Sequence, residues 1–178
     1  NIYDYVHVYH FPNSGVSYSR RRGITLANGN YLIFVDSDDT INKDLLYELS
    51  STIHFHNFPD IIRYQVNLVD DAEYKDHQRY NFVEILNVPM TGIEILKTWS
   101  IAGKKYSVYW LFAFKKSVFS TVLFSIDLKC YEDVALIPIL IASSNKVLTI
   151  DYVGYNYTCN NWNSLTNVKS LDAERSSA

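Results

Sequence analysis

Residues 31–39 read Tyr-Leu-Ile-Phe-Val-Asp-Ser-Asp-Asp, an unbroken apolar run that ends in three carboxylates. Five consecutive apolar residues, 31–35, are typical of a strand that is buried on both faces in the centre of an α/β sheet. In open α/β sheets, ligands bind at the carboxyl ends of the strands. The run therefore predicts an α/β fold with a functional cluster at Asp36, Asp38 and Asp39.

Helices are predicted on both sides of this run. Residues 16–28 are typical of a helix that ends at Gly29, because glycine readily adopts the conformation that follows a helix. Another helix is predicted from Asn42 as N-cap, and its apolar stripe contains Leu45, Leu46, Leu49 and Ile53. A third covers residues 91–102, with Ile93, Leu96 and Trp99 facing inward. The last begins at Leu136 or Ile137, since Pro138 is tolerated only in a first turn.

Strand patterns alternate with these helices. Strands are predicted at residues 5–9, 61–69, 107–114 and 147–153, with an irregular segment at 70–89. The alternation indicates one domain over residues 1–178, an α/β fold whose mainly parallel sheet is flanked by helices. The chain opens on a strand-like segment and begins with Asn1 in place of Met, which predicts truncation at the amino terminus.

Charge and cysteine content exclude several classes of protein. The 16 basic and 19 acidic residues give a net charge of −3, without the broad basic surface that nucleic-acid binding requires. Two cysteines, Cys130 and Cys159, cannot form a disulfide framework. No apolar run approaches the roughly 20 residues of a membrane helix. These features predict a cytoplasmic protein that does not bind nucleic acid.

The acidic cluster at residues 36–39 has two interpretations. Carboxylates suit Mg²⁺ or Mn²⁺, which bind through one or two carboxylates together with substrate phosphates. Alternatively, the cluster is an Asx turn that caps the next helix, which is the commoner meaning of an isolated Asp-x-Asp. A calcium loop counted from Asp36 is excluded, because Ile41 and Tyr47 occupy the positions that need glycine and glutamate.

Glu132 and Asp133 form a second acidic pair, directly before an apolar helical segment. One interpretation is a general base. The other is a pair of acids that complements the helix dipole, which is the commoner reason for such a pair.

Three segments in order resemble the family 2 glycosyltransferases. Residues 13–39 are similar to that family's Asn-x-Gly, helix arginine and Gly-x-Tyr-Ile pattern before Phe-hydrophobe-Asp-x-Asp-Asp. Tyr131-Glu-Asp-Val134 resembles the family's Glu-Asp motif. Tyr155-Asn-Tyr157, followed by Ser164-Leu-Thr166, is similar to its closing segment. The chain departs from the family at Arg21, where Asn is usual, and at Thr158, where Arg is common. Nothing in it matches the family's amino-terminal nucleotide-binding segment.

The resemblance implies a GT-A fold and an inverting transfer of a sugar from a nucleotide-diphosphate sugar to a hydroxyl acceptor. Asp38 would bind Mn²⁺ or Mg²⁺, Asp36 would hold the metal or the ribose, and Arg20 would lie near the nucleotide. Asp133 would be the general base, with Glu132 as the second choice. The acceptor would be a saccharide or lipid-linked saccharide in surface polysaccharide synthesis, with peripheral membrane association left open. The alternative is a non-catalytic sugar- or nucleotide-binding remnant of the same fold.

Overall fold

The fold described here is that of a computed structural model, which describes residues 4–69, 80, 82–121 and 132–159. Its four α-helices are α1 (Val16–Leu26), α2 (Leu45–Phe55), α3 (Gly92–Ile101) and α4 (Glu132–Ala142). Its five strands are β1 (Tyr31–Ile33), β2 (Thr40–Ile41), β3 (Ile61–Val69), β4 (Phe112–Lys115) and β5 (Val147–Thr158). Short 3₁₀ helices, Tyr109–Leu111 and Lys116–Thr121, flank β4. None of the helices in this part of the chain is long and apolar enough to cross a membrane.

The strands form one sheet in the order β1-β4-β3-β5-β2. The longest pairing, β3 with β5, is parallel and runs from Ile61 opposite Val147 to Val69 opposite Thr158. The other three pairings are antiparallel. The α/β class is confirmed, but the sheet is mixed where the sequence predicted a mainly parallel one. The difference arises because β4 enters between β1 and β3 in the opposite direction to both, and β2 runs opposite to β5.

Helices α3 and α4 pack against each other through a very close backbone approach. A Cβ added at Gly92, the first residue of α3, would overlap the carbonyl oxygen of Ile141 in α4. A capping box starts α3, because the Glu94 N–H donates to the Thr91 hydroxyl while the Glu94 carboxylate accepts from the Thr91 N–H. Glycine at position 92 thus allows the backbones of α3 and α4 to approach closely, and the capping box fixes where α3 begins.

A buried ion pair fixes the segment before α3 against the sheet. Arg63 of β3 donates from one nitrogen to both carboxylate oxygens of Glu84, at 2.7 and 2.6 Å. The Trp99 indole N–H also donates to Glu84, at 2.6 Å. The Arg63 guanidinium lies 3.8 Å from the centre of the Tyr106 ring. Because both charges are buried and paired, this cluster is a structural element and loss of either partner would leave a buried charge.

Several predicted elements differ from those observed. Residues 5–9 form no strand, and Val6 and Val8 are exposed, because no described strand lies beside them to complete a ladder. Residues 31–35 give a strand of three half-buried residues at one edge of the described sheet, instead of a central strand buried on both faces. The other edge of β1 pairs with no described strand.

The start of α2 and the buried faces of α2 and α3 also differ from the predicted ones. Helix α2 begins at Leu45 with Asp44 as its N-cap, so the prediction of Asn42 as N-cap is wrong. The Asn42 side chain instead accepts from the Asp44 N–H at 3.2 Å, in the turn before the helix. Leu46 of the predicted stripe is exposed, as is Ile93 in α3, where Ile95 is buried instead. Residues 107–114 contain a 3₁₀ turn before β4, and every side chain from 109 to 114 is buried.

The start of α4 is the largest boundary error. The helix begins at Glu132, so Pro138 lies inside it and the prediction of a start at Leu136 or Ile137 is wrong. A proline inside a helix deprives the carbonyl four residues earlier of its partner. Here that residue is Val134, which is 53% exposed. The side of the helix on which the carbonyl loses its partner therefore faces solvent.

Candidate active site

One arginine joins the two acidic motifs. Arg20 of α1 donates from Nη2 to Asp36 Oδ1 at 3.1 Å, just beyond β1. Its Nη1 donates to Glu132 Oε1 in the first turn of α4, which lies 112 positions further along the chain. The fold therefore brings the end of β1, helix α1 and the start of α4 to one point.

The surroundings of Arg20 restrict its movement. Its guanidinium carbon lies 4.9 Å from the centre of the Tyr109 ring, a cation–π contact. Glu132 is buried, with 3% of its surface exposed, so its carboxylate depends on Arg20 for charge compensation. Burial raises the pKa of Tyr109 despite the nearby arginine, so this tyrosine remains neutral at physiological pH. Arg20 is thus held by two carboxylates and an aromatic face.

Residues 36–39, here called the acidic turn, are closed by an Asp39 N–H bond to the Asp36 carbonyl at 3.2 Å. Strand β5 holds this turn from one side. The Tyr155 hydroxyl accepts from the Asp36 N–H at 3.0 Å and donates to Asp39 Oδ2 at 2.7 Å. Thr158 donates its N–H to Asp39 Oδ1 and its hydroxyl to the Asp38 carbonyl, both at 2.8 Å. Both carboxylate oxygens of Asp39 are therefore engaged by β5.

Asp133 and Glu132 are neighbours in different surroundings. Glu132 is buried against Arg20, whereas Asp133 is half-buried and accepts a 2.8 Å bond from the Val134 N–H. Burial raises the pKa of Asp133 and the charge of Glu132 adds to the increase, while the Val134 N–H and Arg20 act against it. A carboxylate with a raised pKa is better suited to accept a proton than an ordinary one. Both residues lie in the first turn of α4, where acids also complement the helix dipole.

The acidic turn offers carboxylate oxygens of the kind that divalent metals bind. Among residues 4–69, 80, 82–121 and 132–159, no group of three or more His, Cys, Asp or Glu side chains is placed to hold a metal ion. Mg²⁺ and Mn²⁺ do not need such a group when substrate phosphates complete the coordination. Asp38 is exposed on the turn, and the Asp36 side chain is 39% exposed with one oxygen on Arg20. Their donor chemistry fits a metal shared with a diphosphate.

The five residues to which the family resemblance gives a role all lie in the described part of the chain. Arg20 contacts both Asp36 and Glu132. Asp133 follows Glu132 directly, and Asp38 lies two positions after Asp36. Sequence reasoning missed the contributions of Tyr109, Tyr155 and Thr158. Tyr155 carried a signal, because the Tyr-x-Tyr pattern places two aromatic rings on one face of a strand. Thr158 was noticed only as a departure from the family pattern.

Solved structures define the class of fold. Residues 1–349 of S. aureus TarS in complex with UDP-GlcNAc match with a TM-score of 0.61 and 20% identity, over 83% of this chain and 40% of that one. The same protein in complex with UDP matches with a TM-score of 0.59 and 19% identity, over 82% of this chain and 40% of that one. At this identity the likeness shows the fold, which is that of the GT-A glycosyltransferases.

Sequence comparison identifies the family. The family described as "Glycosyl transferase family 2" matches residues 2–122, and the chain belongs to it. The cholesterol galactosyltransferase of Borreliella burgdorferi is 29% identical over 122 residues, which cover 68% of this chain and 32% of that protein. The uncharacterized glycosyltransferase YibD of Escherichia coli is 37% identical over 59 residues, covering 33% of this chain and 17% of that protein. The chain thus spans a third or less of the length of these curated relatives.

Proposed function

We propose that the protein is a metal-assisted, inverting glycosyltransferase that moves a sugar from a nucleotide-diphosphate sugar to a hydroxyl acceptor. The observation that carries this proposal is the contact of Arg20 with both Asp36 and Glu132. A donor-binding turn and a base that removes the acceptor proton must act within the reach of one sugar ring. Arg20 links the segments on which the two would lie.

The donor end of the site is proposed to consist of Arg20 and the acidic turn. TarS, whose fold matches, has been solved with UDP-GlcNAc and with UDP, which supports a nucleotide-sugar donor here. Asp36 and Arg20 would contact the nucleotide part of the donor. Asp38, with Asp36, would hold Mn²⁺ or Mg²⁺. When bound, the metal would supply positive charge that stabilises the departing diphosphate.

The acceptor end is proposed to centre on Asp133. Its carboxylate takes the proton of the acceptor hydroxyl as the acceptor oxygen bonds to the anomeric carbon of the sugar. The bond between that carbon and the diphosphate oxygen breaks on the opposite face, so the configuration inverts. Glu132 is less suited to this proton transfer, because its buried carboxylate is already paired with Arg20. It would instead keep Arg20 in place and raise the basicity of Asp133.

The proposed acceptor is a saccharide or lipid-linked saccharide used in surface polysaccharide synthesis. Action in the cytoplasm, at the inner face of the membrane when the acceptor is lipid-linked, is part of the same proposal. One similar protein is named cholesterol galactosyltransferase, which supports a lipid-associated acceptor.

The metal role is tested by calorimetry on the full-length protein. Mn²⁺ should bind weakly alone and more tightly with UDP present, because the diphosphate supplies further oxygen ligands. Asp38→Asn should weaken Mn²⁺ binding in the presence of UDP by about 10–100-fold. Asp44→Asn is the matched control, since it removes one exposed carboxylate just beyond the turn at the start of α2. Equal Mn²⁺ affinity in wild type and Asp38→Asn would refute the metal role of Asp38.

A further inference from the structure

Strand β5 contacts the acidic turn through Tyr155 and Thr158. β5 pairs antiparallel with β2, which follows the turn directly, so that Tyr155 lies opposite Ile41 and Asn156 opposite Thr40. The Asn42 N–H adds a bond to the Gly154 carbonyl at 2.9 Å. The far end of the turn is thereby tied to β5 through the backbone. The side chains of β5 then reach back to the turn itself.

We propose that Tyr155 and Thr158 are the positioning residues of the acidic turn, which they hold so that Asp36 and Asp38 are presented to the metal and the donor. This inference rests on the proposed function. The Tyr155 hydroxyl contacts both ends of the turn, at the Asp36 N–H and at the Asp39 carboxylate. One oxygen atom thus bridges the first and last residues of the turn, in addition to the backbone bond that closes it.

Packing fixes the position of the Tyr155 hydroxyl. Tyr155 has no exposed surface, and its ring stacks on Trp110 with centroids 4.9 Å apart and planes 13° apart. Tyr157 stacks on the same indole at 5.2 Å and 16°. At the preceding residue, a Cβ on Gly154 would lie 2.6 Å from Leu45 Cδ1 and 2.9 Å from Tyr64 Cδ2. The strand therefore sits tightly against its neighbours, and the ring has little freedom to move.

Asp39 and Thr158 complete the arrangement. The two carboxylate oxygens of Asp39 accept from the Tyr155 hydroxyl and the Thr158 N–H, so Asp39 anchors the turn to β5. Thr158 also donates its hydroxyl to the Asp38 carbonyl at 2.8 Å, which fixes the backbone that carries the Asp38 side chain. Asp39 is thereby assigned to the structure of the turn.

The test compares two buried tyrosines in the full-length protein. Tyr155→Phe keeps the stacked ring and removes the hydroxyl. Tyr64→Phe is the matched control, because it removes a buried hydroxyl that donates to the Trp110 carbonyl at 2.8 Å and does not reach the turn. Both variants lose buried hydrogen bonds and some stability. Only Tyr155→Phe should alter the binding of Mn²⁺ and nucleoside diphosphate. Calorimetry measures this binding with UDP, GDP or dTDP, whichever of the three the wild type binds.

We expect Tyr155→Phe to weaken the affinity for Mn²⁺ and nucleotide about tenfold and Tyr64→Phe to leave it within about twofold of wild type. Thr158→Val, at a half-exposed position, should weaken it about threefold, since it loses one neutral hydrogen bond. Wild-type affinity in a folded Tyr155→Phe protein overturns the positioning role alone. If that variant does not fold, wild-type affinity in Thr158→Val overturns it instead. A wild type that binds no nucleoside diphosphate overturns the proposed function together with this inference.

Discussion

At the first turn of α4, two neighbouring carboxylates have different surroundings, and their chemistry should differ accordingly. Glu132 is buried and paired with Arg20, whereas Asp133 is half-buried and bonded to the Val134 N–H. The family resemblance implied Asp133 as the general base, with Glu132 as the second choice. The contact of Glu132 with Arg20 gives a physical reason to prefer Asp133 as the base, because the Glu132 carboxylate is already paired with a positive charge.

Asp133→Asn should separate binding from chemistry. General-base assistance is worth about 10²–10⁴-fold, so kcat for release of the nucleoside diphosphate should fall by about that factor with donor affinity nearly unchanged. The substitution removes the carboxylate charge and keeps the shape of the side chain, and the Asn amide oxygen can still accept from the Val134 N–H. Circular dichroism serves as the control for folding. A folded Asp133→Asn protein with near-normal turnover would move the role to another residue.

The pH dependence of kcat/KM measures the pKa of the Asp133 carboxylate and so tests the same residue without a substitution. Burial raises the pKa of Asp133 above the ordinary value of 3.8. A base must be ionised to act, so kcat/KM, which reports the ligand-free enzyme, should be full above this raised pKa and should fall as the pH falls through it. The acid limb of the pH profile should therefore lie above pH 3.8 in the wild type. A limb at the ordinary position would show that Asp133 does not control the rate.

Among the elements, the contact between α3 and α4 depends on a single glycine. A Cβ at Gly92 would overlap the Ile141 carbonyl oxygen, which is backbone and cannot rotate away. Because Ile141 lies in α4, whose first turn carries Glu132 and Asp133, a shift of α4 would also displace the acceptor end of the proposed site.

Gly92→Ala should destabilise the protein by about 3 kcal/mol, near the upper end for overpacking, because the obstructing atom belongs to the backbone. Gly23→Ala is the matched control, since Gly23 lies in α1 with no atom within 4 Å of an added Cβ. That substitution should stabilise the helix by about 0.5–1 kcal/mol. Urea denaturation of both variants measures the difference. Equal unfolding free energies would contradict the proposed packing of α3 on α4.

At the scale of the whole molecule, local patterns predicted the bounds of β3 and the presence of all four described helices, because hydrophobic periodicity is a short-range feature. They misplaced the starts of α2 and α4. The sequence could not predict the direction of β4 or the edge position of β1, which depend on how distant strands pair. Asp36 and Glu132 illustrate the same limit at the site. Each is a weak signal alone, and only their shared contact with Arg20 links the two motifs.

The most direct test of the central claim is the reaction of the full-length protein with a panel of nucleotide sugars in the presence of Mn²⁺. Release of a nucleoside diphosphate from at least one of these donors is the expected result. Arg20→Gln should lower kcat/KM by about 100-fold, because it leaves the buried Glu132 unpaired and loosens Asp36. Arg22→Gln, an exposed arginine of the same helix, should match wild type. A wild type that neither binds nor cleaves any donor, or an Arg20→Gln variant as active as Arg22→Gln, would contradict a nucleotide-sugar site organised by Arg20.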